Sequence, residues 1–196
     1  LKSPEGMTVL HKLLDGADAF VSNLAPGATA RLGLSPADLP ERHPQVIPLE
    51  IDGYGPGGPL SNKRAYDLLV QAESGSCAST GYAGMPAKPG AAVADTTTGL
   101  YSALSIMALL LGRVAVARGD SVAAYWWLHR AVSDSVAATS PAAEYALAHF
   151  LAARGRVGDA IASLEHLILT WPTSAVVPEA RRLLEQLQAP DAGAAA

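Results

Sequence analysis

Asp95-Thr96-Thr97-Thr98-Gly99-Leu100-Tyr101 opens an apolar run that continues to Leu111, and the chain changes character across it. Upstream, Gly and Pro are dense: 23 of the 32 in the chain lie in residues 1 to 100, whereas Tyr101 to Gln188 holds four Gly and three Pro. These residues punctuate short elements, so brief helices and strands joined by turns are expected first, and nearly continuous helix afterwards. The polar residues ahead of the run place Asp95 at a helix N-terminus, where backbone N–H groups stabilise negative charge.

Working upstream, Ala65 to Glu73 reads as a helix carrying Leu68, Leu69 and Val70. Before it, Gly53-Tyr54-Gly55-Pro56-Gly57-Gly58-Pro59 closes a strand expected over Gln45 to Ile51. Ser35-Pro36-Ala37-Asp38 caps one short helix, and Pro26-Gly27 opens another through Leu32. Ala17 to Val21 is a short apolar strand that stops at Asn23, and Ser3-Pro4-Glu5 caps a first helix with Leu10, Leu13 and Leu14 as its stripe. This alternation is the pattern of an α/β unit.

Downstream, the sequence repeats. Gly112, Gly119, Ala124, Leu128 and Ala131 recur 36 residues later as Ala148, Gly155, Ala160, Leu164 and Leu167. Small residues at a crossing, Gly at the turn and larger apolar residues on the second helix suit a stacked helical hairpin. The second copy, continued to Pro172, resembles a tetratricopeptide repeat. Val177 to Leu187 reads as its solvating cap helix, and 189–196 as a disordered tail.

Composition bounds the function. The net charge is -4 and no Lys/Arg cluster reaches five, so nucleic acid is not expected as a partner. A lone Cys77 excludes an intrachain disulfide framework and fits a reducing compartment. The longest candidate membrane span, Thr96 to Gly112, is shorter than a bilayer requires, so a soluble, cytoplasmic protein is expected. Leu1 is not Met and no signal-peptide pattern precedes the first element, so the chain reads as beginning within a longer protein. HExxH, GxSxG, GxxxxGK[ST] and helix-opening GxGxxG are all absent. His11, His43, His129, His149 and His166 are scattered and read as surface or helix-face residues, with no metal expected.

Five segments are then decisive. They are Leu1-Lys2-Ser3-Pro4-Glu5-Gly6; Asn23-Leu24-Ala25-Pro26-Gly27 running on to Arg31-Leu32-Gly33; Gly53-Tyr54-Gly55-Pro56; Lys63-Arg64-Ala65-Tyr66-Asp67-Leu68-Leu69-Val70-Gln71-Ala72; and Val93-Ala94-Asp95 followed by Gly99. In order and spacing, over residues 1 to 113, they resemble the family III CoA-transferases, also called the CaiB/BaiF family. The resemblance implies that Asp95 is a carboxylate nucleophile attacking an acyl-CoA thioester, with anhydride and aspartyl-CoA thioester intermediates. An ionised carboxylate needs no deprotonation, and covalent capture divides one hard exchange into easier steps. From spacing alone, Asp95 reads first as a helix cap; the resemblance reverses that order. The resemblance assigns Asn23, Leu24, Gly27, Arg31, Leu32 and Arg64 to CoA, the arginines offering forks suited to phosphates. It places Asp67 and Tyr66 at the acyl site, although Asp67 also fits a first-turn carboxylate opposing a helix dipole. Related acyl-CoA racemases carry a histidine where Tyr66 stands. A phenol with pKa about 10 is a poor base at neutral pH, so transferase is favoured over racemase.

The expected organisation is therefore a CoA-transferase core fragment over 1–112, tetratricopeptide-like helices over 113–188 and the tail. The expected function is transfer of CoA between carboxylic acids, with acyl-CoA and an acid acceptor as substrates and a homodimer as the assembly. Family members continue on both sides of the matching region, so little turnover is expected of this chain alone. The alternative is a scaffold that binds a peptide or protein on the helical repeat without catalysis.

Overall fold

The computed structural model describes residues 1, 3–55, 58–133, 140–172, 174 and 176–189. Lys2 and Pro56 of the matching segments, and the tail after Ala189, lie outside the described residues.

Ser3 starts α1 (Pro4–Leu14) by accepting the Gly6 N–H on its hydroxyl at 3.2 Å, with Pro4 at the first helical position, where its missing N–H costs nothing. The chain then forms β1 (Ala19–Ser22), two single-turn helices α2 (Ala28–Arg31) and α3 (Leu39–Arg42), and β2 (Ile47–Glu50). The strands pair in parallel, Ala19 opposite Ile47 and Ser22 opposite Glu50. Parallel pairing demands a crossover, and the two short helices supply it. Leu14, Leu34, Leu39 and Val46 bury beneath the crossover, with Met7, Leu10, Phe20 and Leu32 packed against them. Among the described residues the sheet has two strands and the rest is mostly helix, so the α/β expectation holds as a small parallel unit.

After β2 the loop leads to α4 (Asp67–Glu73) and α5 (Ser76–Thr80), and then to α6 (Val93–Ala117), a helix of 25 residues. It begins before Thr96 and runs unbroken through Gly112, so by length and composition it could cross a membrane, which corrects the expectation that this run is too short. One face is built for close approach: Ser102, Ser105, Ala108, Leu109, Gly112 and Ala115 are buried. A Cβ on Gly112 would stand 2.6 Å from Leu128 Cδ2, so the small side chain there is a packing requirement. The other face exposes Leu100, Tyr101, Leu104, Met107 and Val114.

Helices α6, α7 (Ser121–Ser133), α8 (Ser140–Ala153), α9 (Val157–Thr170) and α10 (Val177–Gln188) each pack on the next. The 36-residue correspondence falls on equivalent places. Gly119 and Gly155 end α6 and α8 at φ of 74° and 73°, the left-handed turn that a Cβ resists. Ala124, Leu128 and Ala131 are buried on α7, as Ala160, Leu164 and Leu167 are on α9. Ile47 joins the core that α6, α7 and α8 share, and Arg113 on α6 donates to the Gln45 carbonyl at 3.0 Å, tying sheet to helices.

One histidine departs from the surface reading, whereas His166 keeps it, exposed on α9. His43 is 2% exposed, its Nε2 lies 2.9 Å from His11 Nδ1, and its Nδ1 faces Asp15 at 3.3 Å. Thirty-two residues separate the pair, which sits beside the apolar cluster that Leu10 and Leu14 of α1 share with Leu39 and Val46. His166 pairs with Glu144 at 2.7 Å across α8 and α9.

Candidate functional site

Asp67 is the first residue of α4, entered from an extended Tyr66, while Asp95 is the third residue of α6. The residue preceding α6 is Ala92, which has no side chain able to cap it. Asp67 reaches across from α4 instead: its Oδ1 accepts the Ala94 N–H at 2.9 Å and the Asp95 N–H at 3.3 Å. Two of the four orphan donors of α6 are thus satisfied by a carboxylate from another helix, which also opposes the helix dipole.

The Asp67 side chain is 12% exposed. Its second oxygen accepts from Gln71 Nε2 at 2.5 Å, and Lys88 Nζ lies 3.9 Å away. Burial pushes the Asp67 carboxyl up; the Gln71 amide, the Asp95 and Ala94 N–H groups and Lys88 outweigh it and hold it below the usual aspartate range. Asp95 is exposed, and among the described residues its carboxylate has no hydrogen-bond partner. The capping task that spacing alone allowed for Asp95 has been taken by Asp67. Tyr66 is 66% exposed beside it.

A second feature is a cleft of about 240 Å³ at the carboxyl ends of the two parallel strands, where ligands characteristically enter parallel sheets. Ser22 and Glu50, which end the strands, line it together with Leu24, Gly27, Asp52 and Asn62. Asn23 stands between two lining residues, and Gly27, at φ 70°, lets the Arg31 guanidinium fold back over it, a Cβ there meeting Nη1 at 3.2 Å. The acidic lining groups are internally engaged: Glu50 accepts from Thr29, and Asp52 Oδ1 accepts the Tyr54 and Gly55 N–H groups at 3.1 and 2.5 Å. Leu32 faces away, packed among Leu14, Leu34, Leu39 and Val46. Arg64 is exposed on the link to α4.

The loop after β2 joins cleft and aspartates. Gly53 backs onto Ala65 so tightly that a Cβ would fall 2.0 Å from the Ala65 Cβ, immediately before Tyr66 and Asp67. Tyr54 donates to Glu73 Oε2 at 2.6 Å, and Lys63 binds the other Glu73 oxygen while lying 5.0 Å over the Tyr54 ring. The Lys63 and Tyr54 hydrogen bonds hold the Glu73 carboxyl low. The structure thus brings Asp67 and Asp95 together at the start of α6, with Tyr66 next to Asp67 in the chain, and puts Leu24 and Gly27 on the cleft wall, with Asn23 adjacent in the chain and Arg31 against Gly27. Sequence reasoning passed over Gln71, although its position four residues after Asp67 on a helix is a signal for pairing. It also passed over the cleft's Ser22, Glu50, Asp52 and Asn62, of which the first three carry a signal in their position at or just past the carboxyl ends of the strands.

The five sequence segments thus fall on α1, the crossover after β1, the loop after β2 with α4, and the start of α6. The chain belongs to CoA-transferase family III, whose family model matches residues 1–158, well past residue 113 and through α8. The human succinyl-CoA:glutarate CoA-transferase is 38% identical over 120 residues, covering 61% of this chain and 27% of that protein. The formyl-CoA:oxalate CoA-transferase of Afipia carboxidovorans is 36% identical over 122 residues, covering 62% and 28%. The crystal structure of a hypothetical protein from Mycobacterium tuberculosis is similar with a TM-score of 0.52 and 28% identity, over 65% of this chain and 38% of that one. The chain spans less than a third of the length of these curated relatives.

Proposed function

We propose that this chain carries the nucleophile-bearing part of a CoA-transferase that moves CoA between small carboxylic acids, with Asp95 as nucleophile. The observation that supports it is the division of labour at α6: Asp67 caps the helix, which leaves the exposed Asp95 carboxylate uncommitted. In this reading an Asp95 oxygen attacks the acyl-CoA carbonyl, the C–S bond breaks and CoA leaves as thiolate, forming a mixed anhydride. The thiolate then attacks the Asp95 acyl carbon and the original acid departs as carboxylate, leaving an aspartyl-CoA thioester. An incoming carboxylate attacks that thioester, and the returning thiolate takes the new acyl group, so Asp95 is regenerated. N–H groups at the start of α6 favour charge near Asp95. Asn23, Leu24, Gly27 and Arg31 at the cleft and Arg64 on the link are the proposed contacts for CoA, with Tyr66 at the acyl site.

The relatives' names and the Tyr66-to-Val70 wording favour dicarboxylic acids and their CoA thioesters as the substrate class. Hydroxylamine treatment after incubation with succinyl-CoA is expected to trap the chain as a hydroxamate, and Asp95→Asn to abolish the trapping. Turnover that survives Asp95→Asn removes the assignment.

A second reading, a tetratricopeptide-like scaffold over residues 104–188, is favoured by the equivalent buried positions 36 residues apart. It requires residues 104–196 alone to be helical by circular dichroism and to capture the same partners as the full chain. An unfolded fragment ends it.

A further inference from the structure

Gln71 is 2% exposed, and its amide is divided in an unusual way. The Nε2 group donates to Asp67 Oδ2 at 2.5 Å and to the Ala91 carbonyl at 3.4 Å, while Oε1 is buried with no hydrogen-bond partner. Turning the amide over would set Oε1 against the Asp67 carboxylate, acceptor against acceptor, so chemistry fixes the orientation. A buried acceptor left unsatisfied is rare and costly. The side chain bears that loss while keeping both of its contacts, and both are at the start of α6: one on the carboxylate that caps it, the other on the carbonyl two residues before it.

We infer that Gln71 is a positioning residue for Asp95: it locks the Asp67 carboxylate and the approach to α6, and through them fixes the direction in which Asp95 leaves the helix. This rests on the reading of Asp95 as nucleophile. The chain of contacts runs Gln71 to Asp67, Asp67 to the Ala94 and Asp95 N–H groups, with no ligand in it. Lys88 at 3.9 Å is the other group facing Asp67 and supplies charge without the directional bond.

The test is amide hydrogen exchange on the full chain carrying Gln71→Met, which keeps the volume and removes the amide. Gln71→Asn, too short to reach Asp67, serves as a second variant should the first not fold. Exchange at Ala94 and Asp95 is expected to speed up roughly three- to tenfold while amides from Ser102 to Ala117 stay as protected as before. In the same variants the Asp67 carboxyl carbon is expected to titrate at higher pH, a change that lost packing alone would not cause. Unchanged exchange at Ala94 and Asp95, or protection lost evenly along α4 and α6, overturns the inference. Hydroxamate formation from succinyl-CoA separates the two ideas: slower trapping at unchanged half-saturation is expected in the variants. If the parent forms no hydroxamate, the nucleophile reading fails, while exchange still decides whether Gln71 holds the helix start.

Discussion

The residues before α6 and the helices from α6 onward are held together by different physics. The first region is short elements tied by directed polar contacts: Ser3 on α1, His11 with His43 and Asp15, Tyr54 and Lys63 on Glu73, Asp67 and Gln71 at the start of α6. The second is a sequential stack held mainly by apolar packing, with Gly112 under Leu128, Ala124, Ala148 and Ala160 fully buried, and His166 with Glu144 as a polar contact across it. Directed bonds set where individual atoms point, and close packing sets where whole helices lie. The candidate chemistry falls at the joint, where a polar residue of the first region governs the first turn of a helix that belongs to the second.

That contrast can be broken by substitution. Leu128→Ala has the largest expected effect, a loss of about 2–5 kcal/mol in urea unfolding, since the side chain is buried and fills the space over Gly112. Tryptophan fluorescence reports it cleanly, because Trp126, Trp127 and Trp171 all lie in the second region. Next, Gly112→Ala is expected to cost about 1–2 kcal/mol, the clash with Leu128 outweighing the helix propensity gained. The two changes should be strongly non-additive, Leu128→Ala relieving Gly112→Ala, because they share one contact. Additive losses would mean that the stack does not depend on this crossing.

Asp67→Ala should be milder in global stability and local in consequence, raising exchange at Ala94 and Asp95 while the tryptophan signal keeps its midpoint. A concerted loss of both signals would show that the two regions are not separately held. The smallest effect concerns acid. Asp67 titrates below its usual range in the folded chain, so its contribution is present above the unfolded aspartate value of 3.8 and disappears as pH falls through the lowered one. Glu144 is the opposite case: burial raises it, with the His166 hydrogen bond only partly compensating. Its contribution is present below 4.5 and declines as pH rises through the raised value. Glu144→Gln should therefore flatten the decline seen by tryptophan fluorescence on raising the pH from 4.5, without altering the acid loss at Ala94. An unchanged pH profile would contradict the buried state of Glu144.

Much of this was legible in sequence where the cause is local. Ser3-Pro4 marked α1, the short apolar runs marked β1 and β2, and the glycines at 119 and 155 marked helix ends, because caps and turns are decided within a few residues. Asp67 and Asp95 were singled out, but not the bond between the first and the amide of the second, which joins residues 28 apart. His43 and Gln71 escaped for the same reason: a polar residue in or just after a short helix reads as solvated until a distant element covers it. Leu32 looked like part of the Arg31 segment's site, yet a single-turn helix gives no periodicity from which to tell its inward face. The uncharged run Thr96 to Gly112 understated α6, because Val93-Ala94-Asp95 extends the helix before it and Arg113 to Ala117 after it.

The most direct measurement is the location of the trapped carboxylate. The full chain is incubated with succinyl-CoA, treated with hydroxylamine, digested and mapped by tandem mass spectrometry. The predicted result is a hydroxamate on Asp95 and none on Asp67, whose oxygens are bound to Gln71 and the α6 amides. A hydroxamate on Asp67 in place of Asp95, or modification at some other carboxylate that persists unchanged in Asp95→Asn, would contradict it.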